Sequence, residues 1–180
     1  MILKDITPQI WHYFEEICRI PRPSKKEEKI CTYIQQFSNK HHLKYRQDEA
    51  GNIIISKPAS PGKEQQPTVI LQSHVDMVCE KNRGIRHNFN TDPIDNYIEG
   101  DWMKARGTTL GADDGIGVAA MLAVLSDKDI VHGPLEALFT VDEETGLTGA
   151  KALQGGFLTG KILINLDSED EGMLFIGCAG

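Results

Sequence analysis

Acidic and imidazole side chains recur in this sequence directly after apolar segments or in glycine-rich turns. They are His74, Asp76, Asp113, Asp114, Asp142, Glu143, Glu144 and Asp167. In an open α/β sheet, ligands bind at the carboxyl ends of the strands, so residues that follow separate strands meet at one edge. The pattern therefore predicts one polar site to which four separate segments of the chain contribute.

Several carboxylates at one sheet edge imply a counter-cation. Two unit charges 4 Å apart interact by roughly 4 kcal/mol at an effective dielectric constant near 20, whereas the net stability of a domain is only about 5–15 kcal/mol. One or two divalent metal ions would remove this repulsion. Because the set contains one histidine and several carboxylates but no cysteine, it favours zinc, manganese or cobalt in a nitrogen and oxygen site.

Each motif taken alone has a plainer interpretation. The His74-Val75-Asp76 triplet places its two polar side chains on one side of an extended segment, where the carboxylate could orient the imidazole, but such a triplet also arises by chance. Adjacent acids such as Glu143 and Glu144 usually mark a solvated turn, and the acids of residues 111–115 could simply cap a helix. The combination and order of the motifs, rather than any one of them, favour a metal site.

The elements that would position these residues alternate between helices and strands. Helical spacing predicts a helix from Thr7 to the prolines at 21 and 23, a second ending near Asn39, a buried helix over 115–125 and a helix from Thr148. The second helix opens with a capping-box pattern, Ser24 and Glu27. Strands are predicted at 43–47, 53–55, 68–72, 135–141, 162–166 and 173–176, with a hairpin over 97–104. This order predicts an α/β protein with a mixed, largely parallel sheet flanked by helices.

Composition excludes several classes of protein. The chain has 180 residues, 40% hydrophobic and 25% charged, with a formal net charge of −7, which is typical of one globular domain. An acidic chain is a poor partner for a phosphate backbone, so no nucleic-acid partner is expected. Since no apolar run reaches the roughly 20 residues of a membrane span and no signal pattern opens the chain, we expect no membrane partner and a cytoplasmic location. The spacing of Cys18, Cys31, Cys79 and Cys178 predicts reduced thiols in or near the core.

Four motifs in register resemble the co-catalytic zinc peptidases related to aminoacylases and carboxypeptidases. They are His74-Val75-Asp76-Met77-Val78, Arg106-Gly107-Thr108-Thr109-Leu110-Gly111-Ala112-Asp113-Asp114-Gly115, Asp142-Glu143-Glu144-Thr145-Gly146 and Asn165-Leu166-Asp167-Ser168-Glu169. The segments 71–74 and 131–136 are similar in particular to the aminoacyl-histidine dipeptidase branch (Xaa-His or cytosol non-specific dipeptidases). The similarity extends over essentially the whole chain and implies a zinc-peptidase-like catalytic fold.

The resemblance also implies a role for each motif residue. The implied metal ligands are His74 and Asp167 for one ion, Glu144 for a second, and Asp113 as the bridge between them. Asp76 would orient His74, and Glu143 would be the general base for a metal-bridging water. A cis peptide bond between Asp113 and Asp114 is implied as well. Asp114 departs from the asparagine or lysine that is common there, which bears on metal affinity. The implied cofactors are two divalent ions, zinc with manganese or cobalt as alternatives.

The activity implied by the resemblance is metal-dependent hydrolysis of small dipeptides of the Xaa-His type, with broad specificity. Family members are well over twice this length, so residues 1–180 are expected to be the N-terminal part of a catalytic domain. The lid or dimerisation domain, through which the full-length protein would form a homodimer, and the C-terminal part with a further histidine ligand would then be absent. We expect the isolated chain to have little or no activity.

Other functions remain open on the sequence. Because the chain is short, it could be a non-catalytic metal-binding or assembly remnant. Within the same superfamily it could instead be an N-acyl-amino-acid amidohydrolase or a tripeptidase, since these share the metal machinery. The remaining histidines are expected to be structural or surface residues; they are His12, His41, His42, His87 and His132.

Overall fold

Helices and strands alternate along the chain in the predicted order. The structure, a computed structural model, describes residues 7–168 and 172–177. The helices are α1 (Thr7–Cys18), α2 (Glu28–Lys40), α3 (Ala112–Ser126) and α4 (Thr148–Ala152). The strands are β1 (Lys44–Gln47), β2 (Ile53–Lys57), β3 (Val69–His74), β4 (Asn96–Glu99), β5 (Trp102–Ala105), β6 (Leu135–Thr140) and β7 (Ile162–Asn165).

The main sheet has the strand order β1-β2-β6-β3-β7, and β4 and β5 form a separate hairpin. Strand β3 pairs in parallel with both β6 and β7, whereas β2 is antiparallel to β1 and to β6. All strands of the main sheet except β2 therefore run in one direction, which confirms the predicted mixed, largely parallel sheet. Because β6, β3 and β7 are parallel neighbours, their carboxyl ends lie side by side.

The core forms where α1, α2 and α3 pack against the sheet. Its largest fully buried side chains include Phe14 of α1, Ile34 of α2, Met121 of α3 and Phe139 of β6. Burying each such side chain stabilises the fold by about 1.5–3 kcal/mol. Helix α3 presents small and apolar residues on every side, so it packs between α1 and β3. This packing fixes the N-terminal end of α3 beside the carboxyl end of β3.

Two strand predictions near the C-terminus need correction. Strand β7, predicted as buried, is an edge strand, and its side chains Ile162, Leu163 and Ile164 are 46%, 51% and 44% exposed. Residues 173–176, predicted as a strand, have no regular secondary structure. An apolar run is buried only if another element covers it, and none of the described residues covers the outer side of β7.

The predicted capping box at the start of α2 is also wrong. Helix α2 begins at Glu28, and no side chain caps it. The Ser24 hydroxyl donates instead to Asp76 Oδ2 at 2.7 Å, and Glu27 Oε1 accepts from the backbone N–H groups of Lys25 and Asp142. Both side chains are thus used in tertiary contacts with the strand ends, which compete with a local cap.

The described cysteines are free thiols, as predicted. Cys18 and Cys31 are buried and Cys79 is partly buried, while Cys178 lies outside the described residues. Burial raises the pKa of Cys31 to about 12, which keeps this thiol protonated and unreactive. Across residues 7–168 and 172–177, no helix has the length and apolar character needed to span a bilayer.

Glu136 attaches β7 to the sheet and is expected to contribute measurably to stability. Its carboxylate, 4% exposed on β6, accepts hydrogen bonds from the Thr159 hydroxyl (2.6 Å), the Thr159 N–H (2.9 Å) and the Gly160 N–H (3.0 Å). Burial opposes ionisation, but these hydrogen bonds outweigh it and lower the pKa of Glu136. Glu136→Gln is expected to reduce the free energy of unfolding by about 1.5–3 kcal/mol at pH 7, measured by urea titration.

The same contact gives a pH dependence with a defined sign. Since the folded-state pKa of Glu136 is lowered, its contribution is complete above the unfolded value of about 4.3 and is lost as pH falls through the folded value. The difference between wild type and Glu136→Gln should therefore shrink in acid. The exposed Glu49 is the matched control. Glu49→Gln should leave the free energy of unfolding unchanged at both pH 7 and pH 3. A constant Glu136→Gln deficit from pH 7 to pH 3 would contradict this role.

Candidate metal centre

His74 is the residue around which the candidate site is built. It ends β3, is 1% exposed, and lies where the carboxyl ends of β6, β3 and β7 meet. Its Nε2 atom is 2.9 Å from Asp113 Oδ1 and 3.9 Å from Asp167 Oδ2. Asp113 comes from the N-terminal turn of α3, and Asp167 follows β7. Residues from separate segments therefore meet at one imidazole.

Two overlapping groups of side chains in the described part of the chain could hold a cation at this edge. One consists of His74, Asp113 and Glu144, the other of His74, Asp114 and Asp167; within each, one atom per residue lies within 4.8 Å of the others. An imidazole together with carboxylates is a donor set that zinc, manganese and cobalt accept. The residues present therefore fit divalent metal ions.

Asp76 contacts the ring nitrogen of His74 that does not face Asp113. It is fully buried, and its Oδ1 lies 3.3 Å from His74 Nδ1. The same carboxylate accepts the backbone N–H groups of Glu143 (3.0 Å) and Glu144 (3.3 Å). Burial opposes its ionisation, but the close contact with His74 and the hydrogen bonds from Glu143 and Ser24 outweigh that effect and lower the pKa of Asp76 to about 2. Asp76, ionised at neutral pH, can thus orient the imidazole and also hold the loop after β6.

The pKa shifts around His74 reflect an excess of negative charge. Burial, and then repulsion from Asp113 and Glu143, raises the pKa of Glu144. Burial raises the pKa of Asp167, and the charges of Asp113 and Glu143 add to it. Glu143 is therefore close enough to both groups to affect their ionisation. Carboxyl groups that resist ionising together are the electrostatic signature of a site that favours a cation.

Asp113 and Asp114 point in different directions although they are adjacent. The peptide bond between them is cis, as the sequence resemblance implies. The Asp113 side chain is 60% exposed and reaches His74. Asp114 is buried, and its carboxylate accepts from the Ser73 hydroxyl (2.5 Å) and the Gly117 N–H (3.2 Å). Burial raises the pKa of Asp114 to about 6. Asp114 therefore caps the regular part of α3. The helix-cap role that the sequence also allowed for the acids of residues 111–115 thus applies to Asp114.

A second acidic cluster, outside the ligand set, has a structural explanation. Glu27, Asp76 and Asp142 are all buried, and one oxygen of each lies within 4.8 Å of the others. Backbone N–H groups occupy Glu27 and Asp76, and Asp142 accepts from the Thr145 hydroxyl. These acids are thus part of the hydrogen-bonded support of the loop after β6.

Arg22, Ser24 and Glu27 are site-supporting residues that the sequence does not assign. They lie in the loop between α1 and α2, residues 19–27, which we call the α1–α2 loop. Ser24 and Glu27 were visible only as a capping pattern, and Arg22 only as part of a proline-rich helix stop. An arginine between two prolines directly after an amphipathic helix was the available signal, because such a charge has no evident local partner.

The five remaining histidines make contacts elsewhere. The His41 ring packs on Phe37, the His87 ring packs on Phe89, and His132 Nδ1 lies 2.6 Å from its neighbour's carbonyl oxygen. His12 and His42 are exposed. Among the described residues, none of these histidines belongs to a group that could hold a metal ion.

A largely parallel sheet with acids and a histidine at its carboxyl edge is an arrangement that could hold divalent metal ions. A profile of the Peptidase family M20/M25/M40 matches residues 70–175, so the chain belongs to this family. The chain is 51% identical, over 179 residues and 99% of its length, to the cytosol non-specific dipeptidase of Escherichia coli K12.

Solved structures agree with this assignment. The aminoacylhistidine dipeptidase from Vibrio alginolyticus matches with a TM-score of 0.90 and 50% identity over 94% of the chain. A tripeptidase from Staphylococcus aureus matches with a TM-score of 0.76 and 26% identity over 91% of the chain. The chain spans 37% of the Escherichia coli relative, 35% of the Vibrio structure and 44% of the Staphylococcus structure.

Proposed function

We propose that this chain is the N-terminal part of the catalytic domain of a metal-dependent dipeptidase. The observation that carries the proposal is the convergence of His74 with Asp113, Glu144 and Asp167 at one sheet edge. The names of the similar proteins, a cytosol non-specific dipeptidase and an aminoacylhistidine dipeptidase, support dipeptides of the Xaa-His type as substrates. The first of these names also supports a cytoplasmic location.

His74 and Asp167 would hold one cation, Glu144 a second, and Asp113 would contact both. Two such cations, zinc or alternatively manganese or cobalt, lower the pKa of water and polarise a scissile carbonyl when they are bound. The Asp113 side chain is 60% exposed, so this candidate ligand is accessible from solvent.

Glu143 is the group that we assign to proton transfer. Asp76 Oδ1 accepts a hydrogen bond from the backbone N–H of Glu143 at 3.0 Å, which fixes the position of the Glu143 backbone. Its carboxylate is near enough to Asp167 and Glu144 to raise their pKa values. A carboxylate in this position takes a proton from the attacking water and passes it to the leaving amine.

The whole protein's partners follow from the same proposal. The substrate is a small dipeptide, and the formal net charge of −7 disfavours nucleic acid. A lid domain beyond the present chain would form a homodimer and help to bind the substrate, so this chain alone should hydrolyse peptides weakly or not at all. Tripeptide hydrolysis is the second candidate, because a tripeptidase structure matches with a TM-score of 0.76.

A substrate panel with controlled metal content tests this function. The complete protein is stripped with a chelator, reloaded with zinc, manganese or cobalt, and assayed on Xaa-His dipeptides, tripeptides and N-acyl-amino acids. We expect metal-dependent hydrolysis with the dipeptides fastest. Faster tripeptide or acyl-amino-acid cleavage would assign one of the alternative substrates, and absence of cleavage with metal bound would identify a remnant.

Metal uptake near pH 7 is expected to release protons from the site. Burial alone lowers the pKa of His74, but the adjacent carboxylates of Asp76 and Asp113 outweigh burial and raise the pKa to about 9. The metal-free imidazole is therefore protonated at neutral pH, whereas a metal ligand must be the neutral form. Apparent affinity should increase with pH and level off above about pH 9. Zinc calorimetry in buffers of different ionisation enthalpy measures the release; an affinity independent of pH between 6 and 9 would contradict it.

A further inference from the structure

The α1–α2 loop places a buried guanidinium, that of Arg22, against the backbone segments that follow His74 and precede Asp113. Arg22 is 3% exposed. Its Nη1 donates to the carbonyl oxygens of Val75 (3.0 Å) and Asp76 (2.8 Å), and its Nη2 donates to the carbonyl oxygen of Gly111. All three acceptors belong to the backbone. The guanidinium therefore joins two segments of the chain that are distant in sequence.

These two segments carry the residues whose spacing matters most at the site. Val75 directly follows His74, and Gly111 lies two residues before Asp113. His74 Nε2 and Asp113 Oδ1 are only 2.9 Å apart. A rigid planar fork that binds both backbones fixes the separation of the two side chains, which the flexible ammonium of a lysine cannot do in the same way.

The glycines of the Gly111–Gly115 motif provide independent support. A Cβ atom at Gly111 would lie 2.6 Å from Arg22 Nη2, and one at Gly115 would lie 2.5 Å from the same atom. Both distances are far below van der Waals contact. The absence of a side chain at both positions thus makes room for the guanidinium, and the motif is fitted to Arg22 as well as to its own turn.

The backbone of the α1–α2 loop follows the strand end at the same place. The Met77 N–H donates to the Arg22 carbonyl oxygen at 3.2 Å, and Pro23 forms a bridge with Met77. Arg22 is thus held at its main chain and at its side chain. Arg22 therefore has little conformational freedom, and it can hold the segments that it contacts in fixed positions.

We propose that Arg22 is a positioning residue for the metal centre, which sets the spacing between His74 and Asp113 by joining the end of β3 to the turn before α3. This role rests on the proposed function, because it presupposes a cation at that spacing. It does not involve contact between Arg22 and substrate or cation. Its effect is expected in the affinity and geometry of the site.

Cobalt titration of the purified protein tests this role without an activity assay. Arg22→Lys keeps the positive charge but loses the planar fork. We expect its Co²⁺ dissociation constant to increase by about 10–100-fold, the range for residues that orient a metal ligand. We also expect the visible absorption bands of bound Co²⁺ to change, because they report ligand geometry. Far-UV circular dichroism verifies that the variant is folded.

Lys57→Met is the matched control. Lys57, which is partly buried, is also a cation that donates to two backbone carbonyls, those of Val124 and Asp127, but at the opposite end of α3. Its replacement should lower the melting temperature and leave both the Co²⁺ affinity and the spectrum unchanged. The control separates general loss of stability from loss of site geometry.

Gly115→Ala keeps Arg22 and displaces its guanidinium, so it tests the role even if Arg22→Lys does not fold. We expect it to weaken Co²⁺ binding and alter the spectrum in the same direction, and to add nothing in an Arg22→Met background. Wild-type affinity and spectrum in folded Gly115→Ala or Arg22→Lys would overturn the positioning role and leave the proposed function intact. A wild type that binds no Co²⁺ would overturn both.

Discussion

Replacement of Glu143 by glutamine in the complete protein is expected to lower kcat by about 10²–10⁴-fold, the contribution typical of a general base. Glutamine has nearly the same shape but cannot accept the proton of the attacking water. The backbone contact between the Glu143 N–H and Asp76 does not involve the side chain, so the loop should remain in place. Steady-state hydrolysis of an Xaa-His dipeptide measures the effect.

Metal content decides whether this loss is chemical or structural. Glu143→Gln should bind as many equivalents of zinc as wild type, because Glu143 lies outside both groups of possible ligands. Glu49→Gln, at an exposed turn, is the control for an added amide and should keep full activity. Turnover retained in a metal-loaded Glu143→Gln protein would refute the assignment of the base.

Replacement of Asp113 by asparagine is expected to remove most metal binding, whereas the same change at the adjacent Asp114 should reduce it much less. Asp114 belongs to one of the two candidate groups, but Ser73 and Gly117 already engage its two oxygens. The Asp113 carboxylate is directed at His74 Nε2. Asp114 is directed inward, to Ser73 and to the N–H of Gly117. An asparagine there still offers an oxygen to Gly117. The loss of affinity at Asp113 should exceed the about 10–100-fold expected for residues that only orient a ligand.

Equilibrium dialysis with zinc, followed by elemental analysis, measures both variants under one condition. The two substitutions make the same change in charge at neighbouring positions, so each is the control for the other. Equal zinc loss in both would mean that the cluster acts through its summed charge and not through defined ligands. Zinc retained by Asp113→Asn would exclude Asp113 as the shared ligand.

The ligand-bearing segments could be predicted because their signals are local and their position is general. Parallel strands leave their functional residues at the carboxyl ends, and β3 and β7 are each followed by residues with chemistry, His74 at the end of one and Asp167 after the other. The apolar character of α3 also predicted a buried helix, and the regular part of α3 does begin at Gly115, after the non-helical Asp113 and Asp114. The periodicity of the apolar residues and the order of the motifs were sufficient to predict the buried helix and the segments that carry the candidate ligands.

The supporting residues could not be predicted because their partners are distant in sequence. Ser24 has the local pattern of a helix cap, and only the approach of Asp76 in three dimensions gives its hydroxyl a better acceptor. The same holds for Arg22, whose carbonyl acceptors directly after β3 and before α3 cannot be inferred from neighbours in the chain. Exposure of β7 was missed since an apolar run looks the same whether or not another element covers it.

The parallel pairing of β6, β3 and β7 has a thermodynamic consequence. This pairing, with α3 packed against β3, brings the candidate donor atoms together, so the denatured ensemble lacks the coordinating set. By linkage, an ion that binds the native state alone stabilises it by RT ln(1 + [L]/Kd), about 2.7 kcal/mol at a hundredfold excess over Kd. If the proposed cations bind, chelators should consequently lower the melting temperature of this protein, which then depends on the free-ion concentration.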